Sequence, residues 1–424
     1  MRSSRRTGPT LAELRRAPAG IVVVVARLIC RVIPRRRDLW AFGSWYGTRY
    51  GGSPRALFWY CLREQKDRLQ VAWITRRREL ARELRALGLP AYHRYSLRGL
   101  WISLRAGVYV FDCRSSDVNY ITAAGALTVN LWHGTPIKRI EHDIDDPDHP
   151  YSRAHHGRWW WRALTRLAYP TNAERYDLLC ASSPAAASRL AQAFRLPIVR
   201  VVVREAPCND VLTGGAEAFG PLRRIELSVV DRLRAEKEGG KRCILYLPTF
   251  RETVESSPLQ DVLDAVEPVL RSQGATLWCK LHGEDRRSVR AGHAALVEAL
   301  PAELDASLLL HYADVLITDY SSVYMDFLLV DRPVVFFAYD LDRYERDDRA
   351  FYEPYRNVTP GPVVRTPTAL AAEIRALLVD REPAPGPHSR ARRELRHRFH
   401  ATAPGESAAA ASTYAEIAAR VAAP

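Results

Sequence analysis

The chain has 424 residues, 47% of them hydrophobic and 26% charged, which is the composition of a folded globular protein too long for one ordinary core, so two domains of comparable size are expected. Its 62 Lys and Arg against 48 Asp and Glu leave a net charge of +14, an excess that calls for an anionic partner: nucleic acid, anionic lipid or a phosphorylated substrate. Seven scattered Cys with no CxxC pair exclude a disulfide framework and a structural zinc site, and fit a reducing, cytoplasmic interior.

Residues 1–37 read as a basic and apolar attachment arm. Gly20 to Pro34 carries IVVVVARLIC, but Arg27 and Arg31 interrupt it and Arg35-Arg36-Arg37 closes it, so it is too short and too charged to span a bilayer. No small-residue cleavage site of a signal peptide follows it. On a helix, Arg27 and Arg31 share a face while Ile21, Val25, Leu28 and Val32 lie largely on another; this suits an interfacial amphipathic helix and equally a core helix of the first domain.

Trp40 to Gln65 predicts a strand, a Gly-rich turn and a helix starting near Pro54. Strands at Val71–Thr75, Val108–Phe111 and Ala126–Leu131, with a helix at Glu79–Leu87, mark a doubly wound α/β domain. The strand Thr128–Trp132 runs into His133-Gly134-Thr135-Pro136-Ile137-Lys138, so His133 stands at the carboxyl end of a parallel strand, where ligands of such sheets gather. A histidine there can take a proton from a hydroxyl nucleophile near neutral pH, or it can be a structural residue bonded to a neighbouring loop. Lys138 can hold a phosphate or stay solvated. Between Arg153 and Tyr169, His155-His156 and Trp159-Trp160-Trp161 are interleaved with arginines, a pattern that suits a lipid headgroup zone or single-stranded nucleic acid, though no RNP, KH or zinc-finger pattern supports the second.

A strand at Leu179–Ser183, a helix at Pro184–Phe194 and a strand at Val199–Val203 lead to a hinge between Arg204 and Gly220, which carries Cys208-Asn209-Asp210. The strand CILYLP then runs into Thr249-Phe250-Arg251, and after a helix at Leu259–Ser272 the strand Thr276–Leu281, with Lys280, ends at His282. Val315–Thr318 is a buried strand that stops at Asp319 and turns at Ser321-Ser322 into a helix through Met325, Phe327 and Leu328, ended by Asp331-Arg332-Pro333; Val334–Phe337 returns as the next strand. That βαβ unit presents free N–H groups, the positive helix end and two hydroxyls to a ligand. The same Ser-Ser turn also suits an ordinary N-cap, and Asp326, one turn on, can bind ligand hydroxyls or cap locally. Three strand ends, at Thr249/Arg251, Lys280/His282 and Asp319/Ser321/Ser322, form a candidate phosphate-binding rim. A basic helix at His388–His400 and a final helix at Thr413–Val421 close the chain.

These residues carry a resemblance. WHGTPIK (132–138), CNDVL (208–212), YLPTFR (246–251), KLHG (280–283), ITDYSSVYMDF (317–327), RPVVFFAYDLDRYERDDRAFY (332–352) and PGPVV (360–364), in that order and with FGSWYGTRYGGSPRALFWY (42–60) before them, resemble the signature blocks of the CDP-glycerol glycerophosphotransferase family, the bacterial enzymes that prime or polymerise wall teichoic acid. The resemblance implies a GT-B fold, two facing Rossmann-like doubly wound α/β domains with the active site in the cleft. It implies a reaction in which an acceptor hydroxyl attacks the glycerol-bearing phosphate of CDP-glycerol and CMP leaves. By matching blocks, His133 would be the general base and His282 a second catalytic histidine; Gly134, Thr135, Pro136, Ile137 and Lys138 would line the cleft. Thr249, Arg251 and His282 would hold the pyrophosphate with Ser321 and Ser322 at the helix N-terminus, Cys208, Asn209, Asp210, Phe250, Lys280 and Asp319 would be further substrate-binding residues, and Asp326 would hold glycerol or ribose hydroxyls.

No cofactor is expected, and no Asp-x-Asp metal motif stands out, so cation charge would replace a metal. The implied partners are CDP-glycerol or a related CDP-polyol, a lipid-linked polyol-phosphate or glycan acceptor and an anionic membrane surface on the inner face of the plasma membrane. Phosphate groups in donor and acceptor account for the charge without nucleic acid. The implied segments are an arm at 1–37, an acceptor-side domain at 38–205, a donor domain at 206–385 and a helical tail at 386–424. The chain departs from the family where PRND is Pro207-Cys208-Asn209-Asp210, so that Arg200 or Arg204 would have to supply the missing cation; where Gly283 follows His282; at Gly51-Gly52-Ser53; and at Glu141-His142-Asp143. CDP-ribitol as donor is one alternative. A sugar-nucleotide glycosyltransferase of the same fold is another, and a non-catalytic membrane- or nucleic-acid-binding protein a third.

Overall fold

The computed structural model describes residues 11–144, 158–249, 258–280, 296–301, 303–347, 350–379, 387–401 and 408–422. They form two α/β units, one from the chain up to Asp210 together with the C-terminal helix, the other beginning at Val211.

The first unit is built on seven parallel strands: β1 (Arg36–Phe42), β2 (Gln70–Thr75), β3 (Ala91–His93), β4 (Ala106–Phe111), β5 (Leu127–Asn130), β6 (Leu178–Ala181) and β7 (Val201–Val203), in the order β3-β2-β1-β4-β5-β6-β7. Their near-continuous apolar runs are those of strands covered on both faces. Side chains alternate between two cores. Leu39, Ala41, Ala72, Ile74, Tyr109 and Phe111 point to one, and Trp40, Phe42, Val71, Trp73, Val108 and Val110 to the other. The chain winds outward from β1 through β3 and then returns to β4 on the other side of β1. The strand order therefore reverses between β1 and β4, and the carboxyl ends of those strands flank the ligand crevice of an open α/β sheet.

The second unit repeats the plan with β8 (Arg242–Leu247), β9 (Ala275–Cys279), β10 (Val297–Ala299), β11 (Val315–Thr318), β12 (Val334–Phe337) and β13 (Val363–Val364), ordered β10-β9-β8-β11-β12-β13 and all parallel. Here the reversal falls between β8 and β11. One face is covered by the helices Leu259–Gln273 and Pro367–Val379, whose Val262, Val266, Leu270, Leu370 and Ile374 are buried against Ile244, Leu277, Ile317 and Val335.

Both chain ends are packed helices. A single helix, Leu11–Arg31, begins well before the predicted apolar run and lies on the helix Trp159–Ala168; a Cβ at Gly20 would collide with the Leu167 carbonyl, and buried Glu13 accepts from Thr165 Oγ1 at 3.0 Å. Arg27 turns inward, donating to the Tyr120 carbonyl and lying 4.0 Å from the Tyr120 ring centroid, while Ile21, Val25, Leu28 and Val32 are exposed. The C-terminal helix Ala409–Ala422 starts on Asp210, whose two carboxylate oxygens accept the N–H groups of Ala409 and Ala410 at 2.7 and 2.9 Å, the role of an N-cap supplied from a distance. Its Ile417 enters the first unit's core and Tyr414 packs 5.6 Å from Trp40. The basic helix Pro387–Phe399 stays with the second unit, where Arg392 pairs with Asp331 at 3.1 Å.

Candidate active site

In the first unit the segment after β5 makes a tight turn that only unusual backbone permits: Trp132 has φ +56° and Gly134 φ +140°, and Asn130 Oδ1 accepts from Trp132 N at 2.8 Å. The turn presents His133 at the sheet's carboxyl edge. Its Nδ1 lies 2.9 Å from the Asp112 carbonyl oxygen, which can only accept, so Nδ1 carries the proton and Nε2 keeps the lone pair. That tautomer is the one a general base requires. Trp132 packs on the ring with centroids 4.2 Å apart and Trp45 lies 5.8 Å away. Desolvation lowers the imidazole's pKa, and the Asp112 hydrogen bond and the charges of Asp117 and Glu141 partly offset this. The residue nonetheless remains open to solvent, which limits the shift.

Beneath His133 lies a polar knot in the β1–β4 crevice. Asp112, just past β4, accepts from Ser44 Oγ at 2.6 Å and Trp45 N at 3.0 Å. Asp117 accepts from Tyr46 N at 2.8 Å and Cys113 N at 2.8 Å, with the N–H groups of Asp112 and Arg114 at 3.3 and 3.4 Å. Both carboxyls are buried, and burial raises the pKa of each. Trp45 and Tyr46 are held at φ +48° and +55°, a strain that the carboxyl anchors sustain. Gly52 at φ +64° leaves room for the Asp112 carboxyl, which a Cβ would approach to 2.9 Å. Arg114 extends from the same turn to Glu141 at 2.6 Å, both side chains nearly buried. Asp112, Cys113 and Asp117 bring an oxygen or sulfur each within 4.8 Å of one another, as a cation site would, but the carboxylate oxygens already accept the N–H and O–H groups just named.

Sequence reasoning missed this knot. The signal available was the acid directly after the apolar strand VYVF, but its meaning depends on β1 lying beside β4, which sequence order hides.

The other expected residues of this unit occupy several settings. Thr135 and Ile137 are buried, with Thr135 Oγ1 3.4 Å from Ser182 Oγ, and the Pro136 carbonyl accepts from Arg189 at 2.8 Å; Gly134 and Lys138 are half-buried. Asn209 donates to Glu205 at 2.9 Å, Asp210 caps the C-terminal helix, and half-buried Cys208 has its sulfur 3.4 Å from Ser53 Oγ.

In the second unit Thr249 and Asp319 follow β8 and β11, the strands where the order reverses. Asp319 Oδ1 accepts from Thr249 N at 2.9 Å, Thr249 Oγ1 at 2.6 Å and Tyr320 N at 2.6 Å, tying the two strand ends together. Ser321 and Ser322, half-buried, lead into the helix Val323–Phe327, which is a single turn continued by the 3-10 turn Leu328–Val330 rather than the longer α-helix expected, and Asp331 at φ +48° ends it. The Ser322 side chain makes no capping bond; Ser321 Oγ accepts weakly from Val323 N at 3.4 Å. Asp326 and Lys280 are half-buried.

Aromatic residues of the 332–355 stretch buttress this loop. Tyr320 stacks on Tyr344 at 3.8 Å and donates to Asp340 at 2.9 Å, and Tyr355 donates to the Asp319 carbonyl at 3.0 Å. Phe250, Arg251 and His282 lie outside the described residues.

Two doubly wound units in one chain, one with an exposed histidine at its sheet's carboxyl edge and the other with a hydroxyl-rich strand edge, have the architecture of the GT-B class. Residues 25–410 match the family model for CDP-Glycerol:Poly(glycerophosphate) glycerophosphotransferase, and the chain belongs to that family. It is similar to the teichoic acid glycerol-phosphate transferase of Staphylococcus aureus (strain NCTC 8325 / PS 47), 26% identical over 346 residues covering 80% of this chain and 84% of that one. It is also similar to the teichoic acid poly(glycerol phosphate) polymerase of Bacillus spizizenii (strain ATCC 23059 / NRRL B-14472 / W23), 27% identical over 362 residues covering 82% of this chain and 85% of that one. The solved structure of the wall teichoic acid polymerase TagF shares the fold, with a TM-score of 0.72 at 20% identity over 98% of this chain and 99% of that one.

Proposed function

We propose that the protein transfers glycerol phosphate from CDP-glycerol to a hydroxyl of a lipid-linked teichoic-acid-type acceptor. Nε2 of His133 takes the acceptor's proton as its oxygen bonds to the glycerol-bearing phosphorus; the bond from that phosphorus to the bridging oxygen breaks, and CMP leaves with the electron pair. Positioning and charge stabilisation dominate such a displacement. The N–H and hydroxyl donors around Thr249, Ser321 and Ser322, with Arg251, Lys280 and His282, are assigned to the pyrophosphate, and Asp326 to donor hydroxyls. The observation that carries this reading is the tautomer of His133, fixed by the Asp112 carbonyl.

The same reading makes the protein peripheral on the inner face of the plasma membrane. No described helix is long and apolar enough to cross a membrane. The N-terminal helix nevertheless turns Val22, Leu28 and Ile29 outward, 69%, 59% and 61% exposed, and Trp159 of the helix packed on it is 78% exposed. Apolar side chains facing water beside arginines suit a headgroup layer.

The test is transfer of label from CDP-glycerol to a lipid-linked acceptor, with CMP and the product identified. His133→Ala should lower kcat by about 10²–10⁴-fold while donor binding persists. Release of a glycosyl product, or undiminished transfer by the variant, would refute it.

A further inference from the structure

We propose that Arg49, stacked on Trp45 beside His133, forms an acceptor subsite for the phosphodiester next to the attacked hydroxyl, so that the protein extends acceptors already ending in a polyol phosphate. This rests on the transfer reading above and names the acceptor class left open there. The Trp45 ring centroid lies 5.8 Å from that of His133, and Arg49 Cζ lies over the same indole at 4.5 Å. One ring therefore neighbours both the base and a cation. A guanidinium over a ring face keeps its N–H edges free, and among the described residues none of the Arg49 donors meets an acceptor. The side chain is half-buried, so its planar fork is held in place and available to a phosphate, which it can bind through two parallel hydrogen bonds.

The loop that carries this pair is fixed before any ligand arrives. Trp45, Tyr46 and Gly47 run consecutively at φ +48°, +55° and +75°. The Gly47 carbonyl accepts from Thr75 Oγ1 at 2.7 Å and Arg76 N at 2.8 Å, and Thr48 closes the turn by donating Oγ1 and N to the Trp45 carbonyl at 2.6 and 3.0 Å. Two bulky side chains are thus kept in left-handed backbone without gaining burial, since Trp45 and Tyr46 remain 37% and 44% exposed, and such strain is sustained where a site needs it. Other arginines around the loop are committed elsewhere. Arg94 donates to the carbonyls of Ser116 and Tyr46 at 2.6 and 3.4 Å, Arg114 pairs with Glu141, and Arg55 is fully buried against the Tyr50 ring at 4.4 Å. An anion on Arg49 sits one indole away from a hydroxyl on His133. In an acceptor ending in a polyol phosphate, one short polyol separates the terminal hydroxyl from its phosphodiester. In a glycan-ended lipid the nearest phosphate lies beyond the whole glycan, out of reach of Arg49.

The test uses the full-length protein and three lipid-linked acceptors: one ending in glycerol phosphate, one with that terminal phosphodiester replaced by an uncharged methylphosphonate diester, and one ending in a glycan. The wild type should use the charged acceptor with kcat/KM about tenfold or more above either of the others. Arg49→Gln should erase the preference over the methylphosphonate by raising the charged acceptor's KM about tenfold, with donor KM within about threefold. Arg49→Lys, which keeps the charge without the planar fork, should fall between. Calorimetric titration of a soluble glycerophosphodiester without CDP-glycerol reads the subsite independently of turnover, and the wild type should bind it about tenfold more tightly than Arg49→Gln. Equal use of the charged acceptor and either of the others by the wild type overturns the proposal, even if no variant folds. So does a preference that survives Arg49→Gln, or a defect of that variant in donor KM rather than acceptor KM. If the titration discriminates as expected while no CMP is released from CDP-glycerol, the phosphodiester subsite stands and the transfer reading fails.

Discussion

His133 shows how one atom's partner decides a residue's chemistry. With Nδ1 tied to a carbonyl, the ring is a base only while neutral, and its neutral form is favoured by the desolvation that lowers its pKa. The kcat/KM of transfer should therefore rise with pH through an apparent pKa below the ordinary value of about 6.5 and then level off. Glu141 makes a second point at this scale. In the sequence it stood out only as a departure from the family pattern; in the fold it neutralises nearly buried Arg114 at the base of the same knot. Glu141→Gln should cost about 1.5–3 kcal/mol of stability in chemical denaturation, because it removes one charged hydrogen-bond partner of a nearly buried guanidinium.

Among the elements, the strands were legible and the turns between them less so. Val315–Thr318 and Val334–Phe337 read correctly because both-face burial leaves continuous apolar runs of strand length. The helix after Ser322 read too long because Met325, Phe327 and Leu328 are apolar in either geometry, and a 3-10 turn ended by a left-handed Asp331 leaves no separate pattern. The aromatic stretch near Tyr344 gave a family signature without its reason, which is the stack under Tyr320. Tyr344→Ala should remove that stack and lower kcat/KM for the donor more than a surface substitution such as Arg346→Ala, measured by steady-state transfer. On the N-terminal helix, Arg27 and Arg31 on one face with Ile21, Val25, Leu28 and Val32 largely on another left a core helix and an interfacial helix equally open. Leu28→Lys with Ile29→Lys should change stability by no more than about 0.5 kcal/mol while weakening sedimentation with anionic vesicles.

At the level of the whole molecule, two sheets with the same winding each place their polar loops where the strand order reverses. Sequence reading found the candidate residues that follow β5, β8 and β11, because polar residues interrupt apolar runs there. It missed Asp112 and Asp117, because neither carries a motif and their importance comes from β4 lying next to β1, a neighbour more than sixty residues away in the chain. The blocks common to the family extended the reading further than spacing could, and the match over residues 25–410 carries it from the N-terminal helix to the start of the C-terminal one.

The most direct test of the account is to titrate the His133 ring by NMR in the intact protein and compare it with the acidic limb of kcat/KM for glycerol-phosphate transfer. The account predicts that the two pKa values coincide, below about 6.5, and that the Nδ1 proton is retained in the neutral form. A limb unrelated to the His133 titration, or a neutral ring protonated on Nε2, would contradict it.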